Sequence, residues 1–147
     1  MPDDNFNKAL DIFEKIDFNP GMVNVNQGIG EAFSHRGDFE KALKYYNKAL
    51  SICKMLNKSE QLGKIYCCIG DTLLSTQDYR GAFDHFQKSL EIFKLRNYKY
   101  GIGQVYHNLG LYYWCQGEYG DSLKYEKLSF ETFEGISDQS GMATSLG

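Results

Sequence analysis

The sequence is poor in proline, has no run of basic residues and contains no long apolar stretch. Only Pro2 and Pro20 occur among its 147 residues, so proline interrupts no helix after residue 20. The net charge is −3 without a Lys or Arg cluster, which argues against a nucleic-acid surface. No apolar run approaches the roughly 20 residues that span a bilayer, and the polar N-terminus does not resemble a secretory signal. We therefore expect a cytoplasmic protein that binds neither nucleic acid nor membranes.

Metal-binding and catalytic motifs are also missing. Cys53, Cys67, Cys68 and Cys115 show no C-x-x-C spacing. Each of these cysteines lies in a segment of apolar periodicity, where a free thiol packs as a small hydrophobic group, which suits a reducing compartment. The three histidines lie far apart, without an H-E-x-x-H motif. We therefore expect buried free thiols, no metal, no cofactor and no enzymatic activity.

A repeat of 40 residues runs through most of the chain. Gly30, Gly70 and Gly110 recur at this interval, and no gap is needed to align their surroundings. Three stretches show the similarity most clearly: GDFEKALKYYNKALSI at 37–52, QDYRGAFDHFQKSLEI at 77–92 and GEYGDSLKYEKLSFET at 117–132. Self-similarity with a period of 20–50 residues is typical of solenoid proteins.

Each copy predicts two helices that are separated by a short break. In the second copy, apolar residues recur at three- and four-residue steps over roughly 62–76, which predicts the first helix. The break falls at residues 76–78, and Gly37 and Gly117 at the equivalent sites suit the left-handed conformation that ends a helix. Asp38 and Asp78 are then suited to cap the second helix.

The recurring glycine lies in the middle of each first helix. Glycine costs about 1 kcal/mol relative to alanine at such a position, so its recurrence indicates a contact that admits no side chain. The second helices carry small residues at a matching interval. We expect the two helices of each copy to cross closely where Ala42, Ala82 and Ser122 meet these glycines.

These residues resemble the tetratricopeptide repeat. The first copy matches that pattern through Ile29, Gly30, Phe33, Gly37, Phe39, Ala42, Tyr46, Ala49 and Leu50. The third copy departs from it at Ser122, Glu126 and Ser129, so Tyr125 or Leu128 is expected to take the core role there. The resemblance implies an all-α, right-handed superhelical solenoid of antiparallel helix pairs, with about seven helices and a C-terminal partial helix.

The period also predicts how the array is divided. The second helices are expected to run until Asn57, Asn97 and Ser137 break them. We predict five segments in a single array: a lone second helix in 1–20, repeats at 23–62, 63–102 and 103–140, and the start of a fourth repeat at 141–147. Neither end has the polar surface that caps a solenoid. The chain is therefore expected to be a fragment of a longer array or to self-associate through its ends.

In this family the first helices line a concave groove in which extended peptides commonly dock. The resemblance, combined with the helical periodicity, predicts ten groove residues: Asn24, Gln27, Glu31, Lys64, Asp71, Gln104, His107, Asn108, Leu111 and Trp114. Asn108 lies next to the apolar residues of its helix that are expected to face the core. Its side chain either binds a peptide backbone, caps a local backbone group or is solvated. Trp114, the only tryptophan, is either an interaction anchor or packs on a further repeat.

Two functions fit these features. The first is a scaffold whose groove binds a peptide or a partner protein. The second is the sensory or regulatory array of a larger signalling or transcription regulator. Some repeats of this family hold a carboxylate with Lys and Asn, but Gln27 and Glu31 occupy those places in the first copy, so no such clamp is expected.

Overall fold

The computed structural model describes residues 4–9, 20–57 and 59–146, with side chains described as far as residue 137. All of these residues are helical apart from short turns, which confirms the all-α prediction. Seven helices follow one another: α1 (4–9), α2 (Pro20–His35), α3 (Phe39–Leu56), α4 (Ser59–Ser75), α5 (Tyr79–Leu95), α6 (Lys99–Cys115) and α7 (Tyr119–Leu146). The lone second helix predicted for 1–20 lies largely outside the described residues.

The helices pack as successive pairs. α2 packs on α3, α4 on α5, and α6 on α7, and each pair also contacts the next. The first helices α2, α4 and α6 touch one another in sequence along one side of the array. One apolar core lies among α2, α3 and α4, and a second lies between α5 and α6. This arrangement places three first helices side by side, as the groove prediction requires.

The turn inside each pair has the same hydrogen bonds in all three copies. In the second copy, the Asp78 amide donates to the Leu73 carbonyl at 2.9 Å, and the Gln77 amide donates to the Leu74 carbonyl at 3.1 Å. This pattern is a Schellman motif, which needs one residue with positive φ. Gly37 and Gly117 supply it at φ 82° and 77°, as predicted, but Gln77 adopts it at φ 67° without being a glycine.

Helix starts and helix ends follow the sequence predictions with one exception. The carboxylates of Asp38 and Asp78 accept from backbone amides at 3.3 and 3.0 Å and cap their helices. Asn57 and Asn97 end their segments with φ of 54° and 52°. The break predicted at Ser137 is wrong, because α7 continues to Leu146. Serine tolerates the left-handed conformation less readily than asparagine, which explains this difference between the copies.

The mid-helix glycines do mark a contact that admits no side chain, but the partner differs from the prediction. A Cβ on Gly30 would lie 2.7 Å from the Tyr46 ring, and one on Gly70 would lie 2.6 Å from the Phe86 ring. The closest group is therefore an aromatic ring one turn after the expected small residue. The flat ring covers the glycine, and the small residue Ala82 is itself fully buried beside Phe86 in the core.

A second set of close contacts lies about two turns earlier in the first helices of the second and third copies. A Cβ on Gly63 would lie 2.6 Å from the Phe93 ring, and one on Gly103 would lie 2.8 Å from the Phe133 ring. Serine hydroxyls on the second helices donate to these same glycine carbonyls, Ser89 to Gly63 at 2.7 Å and Ser129 to Gly103 at 2.8 Å. The second and third pairs are therefore each held together at two points along their length.

The third copy replaces an aromatic ring with a carboxylate. A Cβ on Gly110 would lie 2.6 Å from Glu126 Oε1. Tyr125 packs against the second core and stacks on Tyr113, with ring centroids 5.4 Å apart. Of the two predicted substitutes for the missing aromatic, Tyr125 is thus the one that reaches the core cluster. Ser122 donates to the Gly110 carbonyl at 2.8 Å and makes the close approach that was expected there.

Candidate functional site: the first-helix groove

The candidate site is the surface that α2, α4 and α6 form side by side, called the groove below. Seven of the ten predicted residues line cavities along it. They are Asn24, Gln27, Glu31, Lys64, Asp71, Gln104 and Asn108. The other three, His107, Leu111 and Trp114, are exposed on α6 beyond these cavities.

The central cavity, of about 290 Å³, lies between α4 and α6. It is lined by Gln27, Lys64, Cys67, Cys68, Asp71, Phe93, Tyr98, Tyr100, Gly101, Gln104 and Asn108. A polar cavity of about 660 Å³ adjoins it toward Asn24 and Lys64. A third cavity of about 230 Å³ lies between Glu31 and Asp71. The central cavity shares Gln27 and Lys64 with the second cavity, and Cys68 and Asp71 with the third, so it lies between the other two.

The aromatic wall of the central cavity did not follow from the periodicity of the first helices. The Phe93 and Tyr98 rings lie 5.3 Å apart, and the Tyr98 and Tyr100 rings lie 6.3 Å apart. Tyr98 precedes α6 and Tyr100 lies in its first turn. Neither is among the helical positions from which the groove residues were predicted. The available signal was a departure from the repeat, because the positions 40 residues earlier, in the first copy, are Lys58 and Glu60.

Asp71 occupies the floor that the central and third cavities share. Its side chain remains accessible along the groove, but the surrounding walls remove much of its hydration and raise its pKa above the usual range. The neighbouring His107 acts in the opposite direction and lowers that pKa. Among the described residues, the Asp71 carboxylate has no salt-bridge partner. The groove therefore holds an unpaired, partly desolvated negative charge.

His107 pairs with a residue that periodicity did not place in the groove. Its Nδ1 atom lies 3.0 Å from Glu126 Oε1 and 3.1 Å from Oε2. Glu126 comes from α7 and reaches His107 past Gly110, where the first copies carry a ring. Tyr46 reaches the third cavity from α3 in the same way. Residues opposite the glycines thus add side chains from the second helices to the groove.

Asn108 is buried in the groove floor and is not solvated or used as a local cap. Only 6% of its surface is exposed, and its Nδ2 atom donates to Cys67 Sγ at 3.0 Å. The bond joins α6 to α4 because the two first helices touch there. Burial, together with the nearby Asp71 charge, raises the pKa of the Cys67 thiol to about 12, although the hydrogen bond from Asn108 acts in the opposite direction. Solvation and local capping were therefore the wrong alternatives for Asn108.

Trp114 and Leu111 form the apolar end of the groove surface. Trp114 is 62% exposed, and its ring lies edge-on to Tyr119 with centroids 4.8 Å apart. Leu111, one turn earlier on α6, is 40% exposed. An exposed tryptophan with one flank fixed by another ring is a suitable surface for an apolar partner group.

The expectation of buried thiols is wrong for one cysteine. Cys53 is buried, while Cys67 and Cys68 are half-buried in the groove floor. Cys115 is exposed because it is the last residue of α6, next to the turn. The apolar periodicity continues up to this residue and does not indicate where the helix ends, so it grouped Cys115 with the core residues.

The described part of the chain shows no cluster of metal-binding side chains. No three His, Cys, Asp or Glu residues within it come together as ligands for a metal ion. None of the described helices combines the length and apolar character that a membrane crossing requires.

Three solved structures resemble this one closely in fold. Aspartyl phosphate phosphatase F from Bacillus subtilis gives a TM-score of 0.83 at 20% identity, covering 90% of this chain and 35% of that one. A Rap protein complexed with Competence and Sporulation Factor gives 0.81 at 22%, covering 91% and 38%. BtubC (BKLC) from P. vanneervenii gives 0.77 at 18%, covering 90% and 55%. The chain thus spans between about a third and just over half of the length of these proteins.

A comparison with curated protein sequences found no match. A family model, described as tetratricopeptide repeat, matches residues 4–55 and 61–134. These two ranges cover most of the chain and include all three pairs of helices and turns described above. The chain belongs to the tetratricopeptide repeat family.

Proposed function

We propose that the chain is a protein-interaction scaffold whose groove binds an extended peptide or an extended segment of a partner protein. The observation that carries this proposal is the set of three adjoining cavities along α2, α4 and α6. Cavities that follow one another along three helices suit an extended chain better than a compact small molecule.

The chemistry of the groove supports the same function. The side-chain amides of Gln27 and Gln104 line the central cavity, where they can pair with a peptide backbone. The buried Asn108 amide lies between them on the floor and adds a fixed hydrogen-bonding group. Trp114 offers an apolar anchor at the far end of α6. Polar groups for the backbone and an aromatic anchor for a side chain are the usual components of peptide recognition.

The comparisons add support of a different kind. Tetratricopeptide repeats are protein-interaction modules, and one structural relative was solved in complex with Competence and Sporulation Factor. That relative shares the fold at low identity, so its ligand is not transferred to this chain. The second function considered for the sequence, a regulatory array within a larger regulator, stays a prediction.

The test uses peptides selected from a phage-displayed random library against the intact chain. Their affinities are measured by the fluorescence of Trp114 and by calorimetry, so that variants without tryptophan remain measurable. Trp114→Ala is expected to weaken binding by about 2 kcal/mol, roughly thirtyfold, if the ring is an anchor. Phe130→Ala is the matched control, because Phe130 is an aromatic on α7 that is 68% exposed and lies outside the groove.

Equal losses for the two variants, or no loss for either, would remove Trp114 from the proposed anchor position. Failure to select any peptide would count against the groove as a peptide site.

The exposed side of α7 bears on the predicted self-association. Leu123 and Phe130 are exposed, whereas their equivalents Phe83 and Leu90 pack against α6. Pairing through this surface stays a prediction, and a clean monomer in sedimentation velocity at high concentration would contradict it.

A further inference from the structure

The central cavity contains hydrogen-bond acceptors that have no donor. The Asp71 carboxylate forms no salt bridge within the described residues. Asn108 is more than nine-tenths buried, and only its Nδ2 atom is used, in the bond to Cys67. Its Oδ1 atom accepts no hydrogen bond from any described group. The Asp71 carboxylate and the Asn108 carbonyl oxygen therefore line the same depression, and neither accepts a hydrogen bond from a described group.

The basic side chains near this cavity already have partners. Lys64 lies 3.6 Å from Glu60 Oε1, and its ammonium group lies 5.4 Å from the centre of the Tyr98 ring. His107, on α6 beyond the cavity, lies 3.0 Å from Glu126. Neither side chain forms a salt bridge with Asp71 among the described residues. The Asp71 carboxylate is thus open to a charged group of a ligand.

The surroundings of Asp71 extend this preference. Glu31 lines the adjoining cavity together with Asp71, so a second carboxylate faces the same part of the groove. Tyr98 and Tyr100 form an aromatic wall on the other side of the central cavity. Aromatic faces attract cations, and long cationic side chains pack their aliphatic stems on such surfaces. A carboxylate on a ligand would instead meet like charge and lose its own hydration.

Resting on the proposed function, we propose that the peptide ligand carries an Arg or Lys side chain that enters the central cavity and pairs with Asp71. The cavity volume of about 290 Å³ lies at the lower limit of ligand pockets, which suits one long side chain. The Asn108 carbonyl accepts a second hydrogen bond from the same cationic group or from the neighbouring backbone. The pairing offsets the desolvation of Asp71, which the free chain leaves uncompensated.

The experiment extends the peptide selection to a charge-removing variant. Intact chain and Asp71→Asn are each exposed to the phage-displayed library, and the sequences that each retains are compared. Asp84→Asn is the matched control. Asp84 is an exposed aspartate on α5, so this substitution removes the same charge at a position outside the groove. The intact chain and the control are expected to enrich Arg or Lys at one fixed peptide position, and Asp71→Asn is expected to lose that enrichment.

A second measurement begins with a change in the peptide, so that its first comparison uses only the intact chain. One selected peptide is synthesised with its Arg and with citrulline, which keeps the shape but removes the charge. The exchange is expected to weaken binding to the intact chain by about tenfold or more, as for a hydrogen bond to a charged group. The same exchange is expected to change binding to Asp71→Asn by less than about twofold.

The outcomes separate this inference from the proposed function. Peptides that bind in the groove without any basic preference, or a citrulline effect that persists in Asp71→Asn, would overturn the inference alone. A library that yields no binder at all would overturn both.

Discussion

In the first two repeats an aromatic ring lies against the mid-helix glycine, whereas in the third repeat a carboxylate lies there. Tyr46 and Phe86 are buried in the core at 3% and 0% exposure. Glu126 occupies the third position, stays partly exposed and pairs with His107 in the groove. The glycine is kept in all three copies although the group opposite it changes from apolar to charged.

The difference shows how the repeat separates fold from surface chemistry. The glycine brings the two helices close together, and the residue opposite it can then extend toward the groove. In the first two repeats an aromatic ring fills this space and packs in the core, whereas in the third repeat the Glu126 side chain passes through it and places its carboxylate beside His107. The third repeat therefore loses some apolar burial and gains a charged pair at the groove surface.

The largest effect should come from filling the space beside the glycine. Gly70→Ala places a Cβ 2.6 Å from the Phe86 ring, which is fully buried and has no free space to move into. Overpacking costs about 1–3 kcal/mol, and the better helix propensity of alanine offsets about 1 kcal/mol of it. Gly110→Ala meets the mobile end of Glu126 and should cost little. We expect Gly70→Ala to lower the unfolding free energy by about 2 kcal/mol more than Gly110→Ala, as measured by urea denaturation.

Gly135→Ala is the control for helix propensity, because an added Cβ there meets nothing within 4 Å. It should stabilise the chain slightly. Equal stabilities for the Gly70 and Gly110 variants would contradict the packing difference between the repeats.

A smaller effect is expected when the third repeat is made to resemble the first. Glu126→Tyr introduces the residue that Tyr46 provides and should cover Gly110 with a ring. The added apolar burial is expected to raise the unfolding free energy by about 1 kcal/mol, since the ring remains near the surface. Thermal unfolding followed by circular dichroism measures the change. Glu131→Tyr, at an exposed position of α7, serves as the control. A destabilised Glu126→Tyr chain would mean that the third pair is not shaped for a ring.

The smallest effect concerns the turn of the second repeat. Gln77 adopts a left-handed conformation that Gly37 and Gly117 adopt without strain. Gln77→Gly removes a cost of about 1 kcal/mol but adds entropy to the unfolded chain, so a net gain of about 0.5 kcal/mol is expected. The reverse exchange, Gly37→Gln, should destabilise by a similar amount. A loss of stability in Gln77→Gly would show that its side chain contributes to the native turn.

The repeat made the fold readable from the sequence, because spacing alone identifies pairs, turns and caps. Asn57 and Asn97 ended their segments as predicted, since asparagine carries its own conformational preference. Ser137 did not, because serine lacks that preference and α7 continues. Seven of the ten residues predicted for the groove line its cavities, and their role in binding a partner stays a prediction.

The aromatic wall and the charged pair could not be predicted in this way. Tyr98 and Tyr100 lie where the second repeat departs from the first, so no equivalent position indicated their place. Glu126 was recognised as a departure, but its reach past Gly110 to His107 depends on the three-dimensional path of one side chain. Periodicity indicates which face of a helix a residue occupies. It does not indicate which side chains reach from one helix to another.

The most direct test of the account maps the binding surface itself. A peptide selected against the intact chain is titrated into the isotope-labelled protein, and backbone amide chemical shifts are followed by NMR. The account predicts that the largest shifts fall on α2, α4 and α6, centred on Lys64, Asp71 and Gln104. Shifts confined to the exposed side of α7 around Leu123 and Phe130, with the first helices unchanged, would contradict it.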